Sequence, residues 1–305
     1  MIRNQQSKGM LLMLGFTLMD ASAGALIKLI PWNPFITAGF RGLLAFCLLW
    51  IYYRFNGIRL TINYKTFLGG CMISSMFISF VAATRLTSAA NAALLQYTNP
   101  IFIIVLSWLL FKQKPKKLDI CTALVAFGGM AVMMLGVFSE NANSLTGSFL
   151  AIFSGLAFAG MFLMGNRFKR KEDHISALLM GHLITFAVGM FFLLGQVTVK
   201  TGPGLSFDSL FTEVISTGFI PVTAVFALGV FQQAIPNTLY AKAIRITQPL
   251  GCSLVSMLGP VLNPLLVFLF IGEKPSVLTI IGGGVIFVSV GAWSLSTINK
   301  EKYSN

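Results

Sequence analysis

Long apolar stretches separated by short polar ones run from one end of the chain to the other. Ten stretches stand out, at roughly 10–30, 34–53, 66–84, 88–111, 119–138, 148–166, 175–195, 214–236, 247–271 and 277–296. Each is about 20 residues long, enough to cross a hydrocarbon core of about 30 Å as a helix. The strict apolar-polar alternation of a membrane barrel is missing, so helices, which satisfy their own backbone, are the predicted spanning element. The pattern is weakest over 214–236, where Pro221 and Pro236 interrupt it. Arg3 and Lys8 precede the first apolar run, and the small residues 21–24 resemble a signal-peptide cleavage site. The run continues past that point and nine more follow, so the first stretch is read as a membrane helix.

Composition agrees with this pattern. Of 305 residues, 56% are hydrophobic, 28 are Phe and only 10% are charged, against about 25% charged in soluble domains. Charge then orients the helices. With ten spans and both ends inside, the inner segments hold Arg3, Lys8, Arg54, Arg59, Lys65, Lys112, Lys114, Lys116, Lys117, Arg167, Lys169, Arg170, Lys171, Lys242, Arg245, Lys300 and Lys302. The outer segments hold Arg85, Lys200 and Lys274. This is the positive-inside asymmetry, and it predicts a multi-pass membrane protein with both termini cytoplasmic. The net charge of +13 therefore reports topology; no basic stripe interleaved with aromatics points to nucleic acid. Cys47, Cys71, Cys121 and Cys252 all fall within spans, without metal-ligand spacing, and read as small buried hydrophobes with no disulfide.

The chain also repeats itself. Shifted by 160 residues, 82–120 aligns with 242–280 without a gap. Ala83 falls on Ala243, Arg85 on Arg245, Thr87 on Thr247, Leu94 on Leu254, Pro100 on Pro260, Leu109 on Leu269, and Lys114-Pro115 on Lys274-Pro275. Five spans lie on each side of the midpoint, giving repeats over 1–143 and 144–305. An odd number of spans sends the second copy into the membrane from the opposite side. The expected fold is thus an all-α integral membrane protein with ten transmembrane helices in two inverted-topology five-helix repeats. Two halves related in this way expose one central site to either side in turn, which is alternating access.

Candidate chemistry lies where polar groups interrupt apolar spans. Asp20 falls near the membrane midplane, Arg41 within a few ångström of it in depth, and Lys28 near the outer end. A charge at a helix centre costs about 2.5–3.5 kcal/mol on insertion scales, so each needs a partner or water. Asp20 and Arg41 are expected to face a cavity as a pair, with Lys28 at its outer mouth; a static salt bridge and simple snorkelling are the blander alternatives. Aligning span seven on span two puts His182 opposite Arg41, as a buried neutral ring or a proton-coupled one. His174, in the basic "KRKEDH" stretch at the inner loop, is given no role. Asn91, Gln96, Tyr97 and Asn99 precede Pro100 in span four; Gln232, Gln233, Asn237 and Tyr240 surround Pro236. Pro100, Pro236, Pro260 and Pro264 free carbonyls and bend helices, as kinks or as substrate-coordinating breaks. Phe102, Trp108 and the remaining Phe are expected to face lipid or pack. Gly129 with Gly136 and Gly284 with Gly291 recur at seven residues, a spacing suited to close helix packing, including a homodimer contact.

Five features together resemble the drug/metabolite transporter superfamily, EamA type: ten spans in two repeats, Lys28 late in the first, Arg41 early in the second, Pro100 and Pro260 in the fourth and ninth, and the "GEKP" 272–275 after the ninth. The resemblance implies a ten-helix inner-membrane carrier with a central cavity that exports amino acids or other small metabolites and holds no cofactor. The chain departs from it at Gln113, where the second repeat has Glu273, and at Asp20, where many members are apolar or aromatic. No HExxH, GxSxG or Walker loop is present, and Asp20 has no second intramembrane carboxylate beside it, so an enzyme is not expected. The reading is a secondary transporter of amino acids or related zwitterionic or amine-bearing compounds, with small-molecule substrate and lipid bilayer as partners. A membrane interaction or sensory protein on a carrier-like fold is the alternative.

Overall fold

The computed structural model describes residues 2–135, 144–201, 218–262, 265 and 276–303, and every regular element among them is helical. The elements are α1 (Ile2–Asp20), α2 (Ala23–Lys28), α3 (Pro34–Phe55), α4 (Tyr64–Leu86), α5 (Ala89–Gln96), α6 (Asn99–Phe111), α7 (Lys117–Leu135), α8 (Leu145–Arg167) and α9 (Lys171–Thr201). There follow α10 (Phe219–Ala227), a π-helical turn (Leu228–Ala234), α11 (Ile235–Ala243), α12 (Pro249–Ser256) and α13 (Val277–Tyr303).

Local chemistry sets the helix starts. Pro34 opens α3, where it needs no donor, and Asn33 Oδ1 accepts from the Phe35 amide at 2.9 Å. Asn63 and Thr66 form a reciprocal capping box at the head of α4. Ser88 and Ser144 cap α5 and α8.

Among the described residues, eight helices are long and apolar enough to cross a membrane: Pro34–Phe55, Tyr64–Leu86, Asn91–Phe111, Lys117–Leu135, Leu145–Arg167, Lys171–Thr198, Phe219–Ala243 and Val277–Thr297. The expected first span is divided instead into α1 and α2 by a turn at Ala21–Ser22. There the Ser22 hydroxyl bonds back to the Met19 carbonyl at 3.0 Å, offering the chain an alternative to continued helix. The expected ninth span begins as a short apolar helix, Pro249–Leu262; its remainder, with Pro264 and the 272–275 motif, lies outside the described residues. The eighth runs past Pro236, its expected end, to Ala243.

Packing is tightest where α4 meets α8 and α9, α3 meets α9, and α7 meets α13. The α3–α9 crossing is backbone on backbone: a Cβ on Gly39 would stand 2.8 Å from Gly189 Cα, and one on Gly189 would stand 2.6 Å from Gly39 Cα. Gly129 serves the same purpose inside this chain, since a Cβ there would lie 2.8 Å from the Gly282 carbonyl. That contact joins α7 to α13, the close helix packing its spacing suggested. Gly284 and Gly291 face open space, and Gly136 lies outside the described residues. Large apolar side chains such as Phe55, Trp108, Phe149, Phe191 and Phe287 point outward, as a lipid-facing surface requires. The four cysteines are free thiols.

Candidate functional site

Three irregularities in the helices meet at one place. Asp20 is the last residue of α1, Tyr97 sits in the turn between α5 and α6, and Gln232 lies in the π-helical turn. Each has a local cause. Pro236 has no amide hydrogen, and its ring would clash with the carbonyl four residues back, that of Gln232; the wider π turn before it relieves the clash and rotates the residues it contains. Pro100 stands just inside the start of α6, where the chain must leave α5 and begin again.

The outcome is a bridged charge pair. Gln232 Nε2 donates to Asp20 Oδ1, and Arg41 Nη1 donates to Gln232 Oε1 at 3.3 Å. The Tyr97 hydroxyl lies close beside the Asp20 carboxylate. Arg41 is 1% exposed, and its guanidinium lies 5.5 Å from the centre of the Phe77 ring. Around this group is a cavity of about 20 Å³ lined by Asp20, Arg41, Gln96, Gln232, Asn237, Met76 and four phenylalanines, Phe16, Phe77, Phe80 and Phe158. That volume accommodates about one water molecule.

His182 and Asn237 extend the polar network. The Asn237 amide donates to His182 Nε2 at 3.1 Å, and the imidazole stacks on Phe77 with centroids 5.0 Å apart. Phe77 therefore carries both Arg41 and His182, the two residues that alignment of spans two and seven sets opposite each other.

The remaining candidates lie elsewhere. Tyr240 is fully buried among Phe16, Phe162 and His174, its hydroxyl donating to the Met161 carbonyl at 2.9 Å. Asn99 accepts from the Ser253 hydroxyl at 2.6 Å and ties α6 to α12. Gln233 is buried beside Gln232 but does not line the cavity. Lys28 is exposed and donates to the Thr87 carbonyl at 3.0 Å, while Asn91 bonds the hydroxyls of Thr87 and Ser148 at 3.0 and 3.1 Å. Lys28 and Asn91 thus fasten α2, α4, α5 and α8 at one end of the bundle and stand apart from the charge pair.

Phe16, Phe77, Phe80 and Phe158 pack in the buried core, as expected, and in addition line the central cavity. The residues around "KRKEDH" are not all loop: α9 begins at Lys171, and His174 is buried at 2% exposure. Among the described residues, no cluster of His, Cys, Asp and Glu is arranged to hold a metal ion.

Apolar helices of membrane length, broken around an oppositely charged centre, define a multi-pass membrane protein with a polar core site. Comparison with known proteins says which kind. The profile of the EamA-like transporter family matches residues 7–135 and again 145–295, and the chain belongs to that family. A relative from Clostridium kluyveri, described as an uncharacterized transporter, is 24% identical over 247 residues, covering 80% of this chain and 76% of its own. Two Archaeoglobus fulgidus relatives with the same description are 25% and 23% identical, over 74% and 85% of this chain and 75% and 86% of their own. A crystal structure sharing 16% identity covers 97% of this chain and 99% of its own with a TM-score of 0.73, which speaks for the fold alone.

Proposed function

We propose that the chain is a secondary carrier that exports a small zwitterionic or amine-bearing metabolite of the amino-acid class, by alternating access of two inverted five-helix halves, 1–143 and 144–305. The observation that carries this reading is the Asp20–Gln232–Arg41 bridge. The Gln232 amide presents an N–H donor to the carboxylate and a carbonyl acceptor to the guanidinium. An α-amino acid offers the same two faces with full charges, an ammonium for Asp20 and a carboxylate for Arg41. Charge-assisted hydrogen bonds are about twice as strong as neutral ones, so such a substrate competes with the amide for both groups. Phe16, Phe77, Phe80 and Phe158 would meet its side chain.

The packing supports the inverted halves. Under the exchange of α1 with α8, α3 with α9, α4 with α10–α11, α5 with α12 and α7 with α13, contacts between the halves map onto one another. The α4–α8 contact corresponds to α11–α1, α5–α8 to α12–α1, and α4–α9 to the π turn on α3. The α3–α9 and α7–α13 contacts map onto themselves. The central cavity is too small for any amino acid, so the cycle requires an opening, and the breaks at Ala21–Ser22, Tyr97–Thr98 and Met257–Leu258 are suited to provide it. The fastening at Lys28 and Asn91 would be what parts when the end bearing them opens; with positive charge inside, that end is the outer one.

Thermal unfolding of the detergent-purified protein against amino acids, nucleosides, nucleotide sugars and organic cations tests the substrate class. A ligand that binds the native state raises its apparent stability with concentration. Zwitterionic amino acids are expected to do so in wild type and not in Asp20→Asn. A shift retained by Asp20→Asn would return Asp20 to a structural role, and a shift produced only by nucleotide sugars would overturn the class.

A further inference from the structure

Gln96 ends α5 and lines the central cavity together with Asp20, Arg41 and Gln232. It is only 4% exposed, yet no hydrogen bond joins its side-chain amide to any described residue. His182 Nδ1 is also unbonded, but it is sealed off; the oxygen and nitrogen of Gln96 are not sealed and open onto the cavity. The other two amides of the lining are engaged, Gln232 with Asp20 and Arg41, and Asn237 with His182. Leaving a buried amide unbonded is costly. One water molecule, which is what the cavity admits, removes that cost while the site is closed. A substrate that fills the opened site displaces the water, and affinity is lost unless a substrate atom takes over its hydrogen bonds.

The rest of the lining says which substrate atom that is. The ammonium and carboxylate of a zwitterion are drawn to Asp20 and Arg41, which leaves its side chain to the wall of Phe16, Phe77, Phe80, Phe158 and Met76. Asp20 and Arg41 are the charged residues of that lining and are both committed, so a charged side chain would be buried without a counter-ion. A wholly apolar side chain would strand the Gln96 amide. We propose that Gln96 selects, within the amino-acid class, substrates whose side chain ends in an uncharged hydrogen-bonding group, a hydroxyl or a carboxamide. An amide serves either, since it offers both an N–H donor and a carbonyl acceptor. The proposal rests on the zwitterion reading of the central site and concerns only which zwitterions that site prefers. A site that hydrogen-bonds a substrate group rejects analogues lacking it far more strongly than an apolar pocket separates two apolar side chains.

The test is thermal unfolding of the detergent-purified full chain titrated with two pairs of amino acids of similar shape, threonine against valine and glutamine against methionine. In the pair that binds more tightly, the polar member should half-saturate at a concentration about tenfold lower than its apolar partner, as one hydrogen bond implies. Gln96→Met keeps the length of the side chain and removes its amide. It should bring the two members of that pair to equal affinity and leave the ligand-free melting temperature unchanged or raised, because no bond within the protein is lost. A lowered ligand-free melting temperature would make the amide a structural group and overturn the proposal. A preference that survives in Gln96→Met, or tighter binding of glutamate or lysine than of glutamine, would do the same. Equal stabilisation by both members of each pair in wild type overturns the proposal and leaves the zwitterion reading standing, whereas no response to any of these amino acids overturns both.

Discussion

At the level of single residues, the account turns on Gln232. Removing its amide in Gln232→Leu leaves Asp20 and Arg41 without their bridge, and a buried group that loses its partner costs about 1–3 kcal/mol. Asp20→Asn and Gln232→Leu act on the same contact, so their destabilisations should fall short of additive, by about 0.5–3 kcal/mol in a double-mutant cycle read from unfolding. Strict additivity would mean that the two side chains are not coupled. A second prediction concerns Tyr97. A Cβ at Gly259 would overlap the Tyr97 hydroxyl, so Gly259→Ala should push that hydroxyl away from Asp20. Ligand binding should weaken while the protein still folds; binding equal to wild type would remove Tyr97 from the site. Asp20 and Arg41 were legible in the sequence because an ionisable group in an apolar run is costly and therefore stands out. Gln232 as their connector was not, since its aim depends on the extra residue of a π turn that no spacing rule announces. The phenylalanine walls were hidden for another reason. Helices in lipid are apolar on both faces, so periodicity does not separate a cavity-facing Phe from a lipid-facing one when the chain holds 28 of them.

Elements carry the next level of the argument. The π turn before Pro236 costs regular α-helical bonding and aims Gln232 at Asp20. Pro236→Ala restores the missing donor and removes the ring clash, allowing regular helix. The variant is expected to unfold at the same temperature as wild type or higher, yet to bind substrate more weakly; lowered stability with unchanged binding would show that the turn has no part in the site. The glycine crossing behaves oppositely. Gly39→Val places a side chain against the α9 backbone and should cost at least about 1–3 kcal/mol, as overpacking does, whereas Gly284→Val, facing open space, should leave the melting temperature nearly unchanged. Equal effects would contradict the described α3–α9 contact. Span existence was readable from apolar length alone. The breaks at Ala21–Ser22 and Tyr97–Thr98 were not, because small residues and threonine are ordinary inside membrane helices, and only the tertiary arrangement decides where such a helix stops.

For the whole molecule, two family matches of similar length and a contact pattern preserved on exchanging the halves lead to one mechanical expectation. A single central site passes between the two sides without a continuous pore. Flux should then saturate, and an unlabelled substrate on one side should drive accumulation of labelled substrate from the other. The repeat over 82–120 and 242–280 pointed in the sequence to two related halves, and the family profile matches twice, over 7–135 and 145–295; the inverted topology of those halves belongs to the proposal. The most direct test of the central claim is counterflow in proteoliposomes loaded with an unlabelled zwitterionic amino acid found in the stability screen. Wild type is predicted to accumulate the labelled compound transiently, and Asp20→Asn, folded by its melting curve, to lose that uptake by about tenfold or more, as expected for a lost charge-assisted contact. Ligand binding without any counterflow in wild type would contradict the carrier account and favour a sensor on the same fold.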